Sequence, residues 1–443
     1  MDQEKLNRPK SPAPLTADQA ARRCKPAELG FETTAKAEPL VGIVGQDRAL
    51  RALEFGARMD GDGFNLYVLG TPGSQRHDVV WNFLQEESRD KEQPNDWCYV
   101  YNFDDAHKPR GITLPAGWGK RFQQDMSQLL EDLRASVPAA FESENYRNRL
   151  AEIEQEFHDR NKEALESFQA EAAQEGLELL PTPHGFAIAP VRDGKVLEED
   201  EFRKLPKEER KRTQEAISHL TERLKKRFQN MPIWHKERRG RIKELERKVT
   251  MLAVGSLISE LKERYADHPP VLQYLDAVQQ NVIDNAQDFL TMETAAPSPL
   301  LGMRVDPETL FQSYAVNVLI NNEATEGAPV VYENNPTYQN LVGRIEHTSQ
   351  FGTMVTDFTM VRPGALHSAS GGYLMLDAEK VLLQPFAWEA LKRAIEDRQV
   401  RIESIAQMLS LISAQSLEPD AMPLDVKIVL IGDRLLYYLL CEF

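Results

Sequence analysis

Apolar residues fall into two regimes along this chain. Phe64 to Leu69, Trp97 to Phe103, Tyr373 to Leu376 and Val426 to Ile431 are short apolar runs bounded by Gly, Asp or other turn residues. That is the pattern of strands, and the runs at Tyr373 to Leu376 and Val426 to Ile431 are those of buried strands, the latter of parallel type. Tyr314 to Ile320 and Pro329 to Tyr332 read as further strands, and the stretches at Gly343-Arg344-Ile345-Glu346-His347 and Gly352 to Phe358 as extended pieces around turns. Asp47 to Met59, with Ala49, Leu50, Leu53 and Phe55 on one face, and Pro385 to Glu396 read as helices.

From about Ser136 to Leu290 the period changes to that of long helices. A first arm, Asn145 to Leu180, places Leu150, Ile153, Phe157, Leu165 and Phe168 at helical spacing; a second, Glu208 to Tyr265, does so with Leu220, Leu224, Leu245, Val249, Leu252 and Leu261 among others. Helices of this length without internal caps imply an antiparallel coiled coil. The Asp193-Gly194 dipeptide between apolar runs implies a small β-hairpin at its tip. Residues 141–200 hold 6 basic and 15 acidic side chains, a net of −9, whereas residues 201–250 hold 17 basic and 8 acidic, a net of +9. An acidic arm folded back on a basic one is complementary. The same basic arm offers a second reading as a contact surface for nucleic acid.

Composition narrows the class. With 443 residues, 41% apolar and 28% charged, the chain has room for more than one structural unit. A net charge of −16 argues against a nucleic-acid or anionic-membrane surface over the whole protein. Cys24, Cys98 and Cys441 are too scattered for a disulfide framework, which points to the cytoplasm, and no apolar run reaches the ~18 residues of a membrane span. The expected organisation is a tail and lead-in over 1–38, a first α/β part over 39–135, the helical insertion over 136–290 and a second α/β part over 291–443.

The candidate chemistry lies where Phe64 to Leu69 meets Gly70-Thr71-Pro72-Gly73-Ser74-Gln75-Arg76-His77. Strand, Gly-containing loop and helix are the context of a phosphate loop, whose working form is G-x-x-x-x-G-K-[ST]. Here Gln75 stands for the second Gly, Arg76 for the Lys and His77 for the hydroxyl that holds Mg²⁺. Arg keeps the charge as a planar fork, but imidazole is a poor ligand for a cation that prefers oxygen. Such a site also needs an apolar strand ending in an Asp, usually followed by a Glu. Tyr373 to Leu376 ends in Asp377, but Ala378 follows.

Val44-Gly45-Gln46 before a helix, Gly70-Thr71-Pro72-Gly73, Gly364 to Asp377, and the strand closing at Gly432-Asp433 together resemble an AAA+ module, which implies a parallel sheet holding the strands near Leu66, Val100, Leu374 and Val429. More closely, the chain resembles the Lon-related ATP-dependent proteases, whose ATPase domain is interrupted by a long coiled coil. Asn102-Phe103-Asp104-Asp105 with Pro109-Arg110, Asn335-Pro336-Thr337-Tyr338 with Gly343 to Glu346, and Pro385 to Lys392 match that pattern. The resemblance implies Val44 and Gln46 at the adenine pocket, Gly70, Pro72, Gly73, Ser74, Arg76 and His77 at the phosphates, Asp377 on Mg²⁺ and Asp433 as first sensor. It implies Phe351-Gly352-Thr353-Met354 as a substrate-gripping loop. It implies ATP and Mg²⁺ as cofactors, a homo-oligomeric ring and protein substrates. Plainer roles exist: Asp377 and Asp433 also suit helix starts, and 351–354 a buried turn. The lid and the Ser-Lys peptidase domain of that group have no counterpart in this sequence, so no catalytic residue is assigned, and the expectation is a truncated fragment or a gene cut short. The degenerate loop leaves two further readings, a non-hydrolysing scaffold for an ATP-independent peptidase and a nucleic-acid role for the basic arm.

Overall fold

The computed structural model describes residues 13–21, 24–37, 45–59, 61, 63–71, 73–182, 185–192, 195–197, 206–294, 311–350, 353–403 and 417–442. Residues 1–55 form one compact unit and 56–443 another. In the first, Thr16 and Gln19 cap the short helix Ala17–Ala20 reciprocally. At the start of α1 (Asp47–Arg58) the Gln46 carbonyl accepts from Leu50 N–H at 3.0 Å.

The second unit takes up the last turn of α1 and continues through β1 (Leu66–Leu69), α2 (Arg76–Ser88), β2 (Asp96–Val100), β3 (Arg110–Leu114), α3 (Trp118–Glu142) and α4 (Glu144–Gln174). Strands β4 (Leu177–Thr182), β5 (Gly185–Arg192) and β6 (Lys195–Val196) precede α5 (Lys207–Arg264), α6 (Pro269–Asp284) and α7 (Ala286–Thr294). Then come β7 (Val316–Ile320), β8 (Val330–Glu333), β9 (Gly372–Asp377), α8 (Ala378–Leu383), α9 (Ala387–Asp397), β10 (Val426–Gly432) and α10 (Arg434–Glu442).

The sheet that carries the site has four parallel strands in the order β1-β10-β9-β8. Gly372 to Leu376 are all buried, and Leu374 and Leu376 pack with Leu341, Leu366, Val381 and Leu391 in one core. The apolar run is continuous because both faces of this strand are covered. Crossing over from β1 to β10 to β9 brings the C-terminal ends of three strands together, with Leu69 opposite Gly432 and Asp377 opposite Ile431.

One expectation needs correction. The aromatic strand at Trp97 to Val100 is not a member of the parallel sheet; it is the centre of an antiparallel sheet ordered β3-β2-β7. The fourth strand of the parallel sheet is β8. Trp97 and Tyr99 face one core, with Phe358 and Val361, while Cys98 and Val100 face another, with Phe122 and Tyr274. Burial on both faces is what a parallel core strand shows too, so the apolar run alone cannot separate the two.

The helical region hangs from that second core. Phe122, Met126, Leu129, Leu133 and Val137 form a buried row on α3 at spacings of three and four, against Val254, Ile258 and Leu261 of α5 and Val271, Leu275, Val278 and Val282 of α6. Helix α3 runs through residue 136 without interruption. Beyond this bundle α4 and α5 run antiparallel, bridged by Arg160–Glu237 at 3.3 Å, Arg241–Glu156 at 2.8 Å and Arg223–Glu171 at 3.1 Å. At 58 residues α5 is about 87 Å long. Among the described residues no helix is long and apolar enough to cross a membrane.

Candidate functional site

The loop after β1 is held by backbone hydrogen bonds at both of its ends. Gly70 N–H donates to the Gly432 carbonyl at 3.3 Å, and Ser74 N–H to the Thr71 carbonyl at 3.2 Å. Gly73 has φ +84° and Gln75 φ +53°, so both sit in the left-handed region just before α2. Gln75 holds a conformation that favours glycine, as the working motif would have there, and makes no side-chain cap to the helix. Val44 and Pro72 lie outside the described residues, and Gln46 belongs to the 1–55 unit.

The side chains turn the loop inward. The Arg76 guanidinium donates to the carbonyls of Gly70 and, at 3.1 Å, of Gly432. A Cβ on Gly70 would stand 3.0 Å from Arg76 Cδ and 3.1 Å from Ser74 Oγ, so these two side chains fill the space over the first glycine. The charge that would meet phosphate is held against two strand-end carbonyls.

His77 and Asp377 meet directly, with Nε2 and Oδ1 2.6 Å apart. The other carboxylate oxygen accepts from Tyr332 Oη at 2.9 Å and from Lys380 Nζ at 2.7 Å. The imidazole lies 5.6 Å from the Tyr332 ring. Burial pushes the Asp377 carboxyl upward, but hydrogen bonds from Lys380, His77 and Tyr332 outweigh it and hold the group below the usual carboxylate range. Lys380 is raised in turn, chiefly by its bond to Asp377, and Tyr332 is raised by burial and then by the same carboxylate.

Ala378, where such sites usually carry a Glu, is buried, and a Cβ on Gly432 would come 3.3 Å from its methyl group. The position faces the β10 strand end, whereas Glu379 is exposed. Asp433 caps α10, its Oδ1 accepting from Leu436 N–H at 2.8 Å, while its carbonyl accepts from Tyr67 Oη at 3.2 Å. Of the expected loop-gripping segment, Phe351 and Gly352 lie outside the described residues, and Met354 is exposed on the short strand Thr353–Val355.

The structure thus brings together Gly70, Ser74, Arg76, His77, Asp377 and Gly432. Sequence reasoning missed Tyr332 and Lys380. Lys380 stands three residues after Asp377, a spacing that puts both on one helical face, and so was detectable; Tyr332 was not, because nothing local in the sequence sets its strand beside β9. A triphosphate with Mg²⁺ needs free oxygen ligands and outward-facing donors. Imidazole, ammonium and phenol on both oxygens of Asp377, with a guanidinium spent on backbone, do not fit that group.

The structure is mixed α/β, with the cluster at the strand ends of a parallel four-stranded sheet. A LonB-like AAA domain model matches residues 326–443, and a Lon-like LonC helical domain model matches residues 96–129. The chain is Lon-related. No curated protein matches. Among solved structures, NtrX from Brucella abortus is similar at 16% identity over 39% of this chain, with a TM-score of 0.17; the chain spans 39% of that structure's length.

Proposed function

We propose that this chain is the substrate-handling AAA+ part of a Lon-like protease, and that its pocket binds nucleotide weakly or not at all. The observation that supports this most is the pairing of His77 with Asp377, which puts an imidazole where the metal would be. In this reading α4 and α5 form an antiparallel coiled coil tipped by the β4–β5–β6 strands and inserted into the AAA+ domain. The chain works as a homo-oligomeric ring on protein substrates, with the peptidase chemistry supplied outside these residues. Asp433 keeps its place as a sensor only if its carboxylate leaves the α10 N-terminus.

Isothermal titration with Mg²⁺-ATP tests the proposal. The expected result is no saturable heat up to millimolar nucleotide in the wild type. Micromolar binding that disappears in Asp377→Ala would overturn it.

A second reading goes further: the module is a scaffold that gates or assembles an ATP-independent peptidase. Arg76 and Lys380 support it, since both cations are committed to internal acceptors. Turnover of ATP by the intact protein, lost in Asp377→Ala, would rule it out.

A further inference from the structure

The two-helix arm carries opposite charge on its two flanks. On α5 the residues that meet α4 are Glu237, Arg241 and Leu245. With 100° per residue, Lys236, Arg239, Lys243 and Arg247 fall on the opposite face of that helix. All four are exposed, and among the described residues none has a carboxylate within ion-pair distance. Their neighbours do find partners: Arg241 bridges to Glu156, and Lys248 to Glu244 at 2.7 Å. On α4, Phe157 and Phe168 face α5. Glu152, Asp159 and Glu163 fall on the outward side, exposed and likewise without a cationic partner among the described residues.

Span and level agree. Residues 152 to 163 and 236 to 247 each cover eleven steps of a helix, about 16 Å. The pairs Arg160–Glu237 and Arg241–Glu156 set residue 152 beside 245 and residue 163 beside 234, so the acidic and basic rows sit at the same height on the arm. One arm therefore presents a base row on one side and an acid row of matching length on the other. Two arms standing side by side in the same orientation bring the base row of one against the acid row of the next. Such a contact uses two different patches, so it repeats from copy to copy and closes when the rotation allows.

We propose that the basic flank of α5 (Lys236, Arg239, Lys243, Arg247) binds the acidic flank of α4 (Glu152, Asp159, Glu163) in a second copy of this chain. The contact rests on the homo-oligomer reading above and adds where neighbouring copies touch. Exposed ion pairs contribute little singly, so the rows set register and orientation, and salt weakens them together.

Sedimentation velocity of the full chain at low and high salt tests this with three variants. They are Lys236→Glu/Arg239→Glu/Lys243→Glu, Glu152→Lys/Asp159→Lys/Glu163→Lys, and the six-fold combination of both. The expected result is self-association that weakens with salt, falls at least about tenfold in either triple variant and returns in the six-fold variant, where the rows are exchanged and again complementary. Unchanged helical circular dichroism shows that each variant is folded. Association unaffected by both reversals overturns the flank contact but leaves the homo-oligomer standing. Failure of the six-fold variant to recover overturns it as well. A chain monomeric at every salt and concentration removes both. Loss of duplex DNA binding in the basic reversal with self-association unchanged would assign the row to nucleic acid and also overturn the contact.

Discussion

His77 Nε2 stands 2.6 Å from Asp377 Oδ1 across 300 residues of sequence, joining the first turn of α2 to the end of β9. The carboxylate is only 13% exposed and has donors on both oxygens. A residue kept to ligate a metal would cost the fold little when removed without metal. Asp377 instead ties a helix, a strand end and the start of α8 together. Asp377→Ala is therefore expected to lose about 1–3 kcal/mol of stability, because three donors lose their acceptor. Urea unfolding in the presence of EDTA measures it; an unchanged midpoint would remove the structural role.

Gln75 and Gly432 set the loop's geometry in opposite ways. Gln75, at φ +53°, accepts a conformation that costs a residue with a side chain roughly 1 kcal/mol or more. Gln75→Gly is expected to stabilise the fold by up to about 1 kcal/mol, less what glycine gives back to the unfolded chain. Gly432 allows no Cβ, which would run into the Tyr67 hydroxyl. Gly432→Ala is expected to destabilise by at least about 2 kcal/mol, and by less in a Tyr67→Phe background, where the nearest atom is gone. Thermal unfolding of the wild type, Gln75→Gly, Gly432→Ala, Tyr67→Phe and the Tyr67→Phe/Gly432→Ala double variant checks both; an equal loss with and without Tyr67→Phe would show that the clash lies elsewhere.

Much of this site is legible in the sequence, and its gaps have physical causes. The strand ends at Asp377 and Gly432 are marked by apolar runs that stop at Asp or Gly, as in parallel strands buried on both faces, whereas the run ending at Leu69 gives the same signal from a half-exposed edge strand. The side-chain partnerships were not legible, because nothing local says that Arg76 folds back on Gly432 or that His77 reaches Asp377. Nor could the run at Trp97 to Val100 reveal that its neighbours are antiparallel: an apolar strand between two cores reads the same whichever way its partners run.

Lys427 closes the end of α1. Its ammonium donates to the carbonyls of Gly56 at 2.8 Å, Ala57 at 3.2 Å and Met59 at 2.6 Å, and Tyr373 Oη adds a bond to Ala57 at 3.3 Å. These are last-turn carbonyls that no helical N–H reaches, and a cation there also suits the helix dipole. Lys427→Met keeps the stem and removes the donors, so a loss of about 1–3 kcal/mol is expected. Faster amide exchange in the last turn of α1, with the parallel sheet still protected, would show that the loss is local. Exchange that does not change would contradict the clamp.

His367 makes stability depend on pH. It is fully buried among apolar neighbours; Nδ1 accepts from Gly364 N–H at 3.3 Å, so the proton sits on Nε2, which has no partner among the described residues. Burial lowers its pKa from 6.5 to about 3, because the charged ring would be stranded away from water. The unfolded chain takes up a proton near 6.5, whereas the folded one resists until about 3. The contribution to stability is therefore complete above pH 6.5 and is lost as pH falls from 6.5 toward 3, by about 1.4 kcal/mol per pH unit at most. His367→Gln retains an acceptor for Gly364 and cannot titrate. Urea midpoints at pH 7.5, 6 and 5 should therefore fall more steeply for the wild type than for the variant, and parallel curves would show that other groups carry the acid sensitivity.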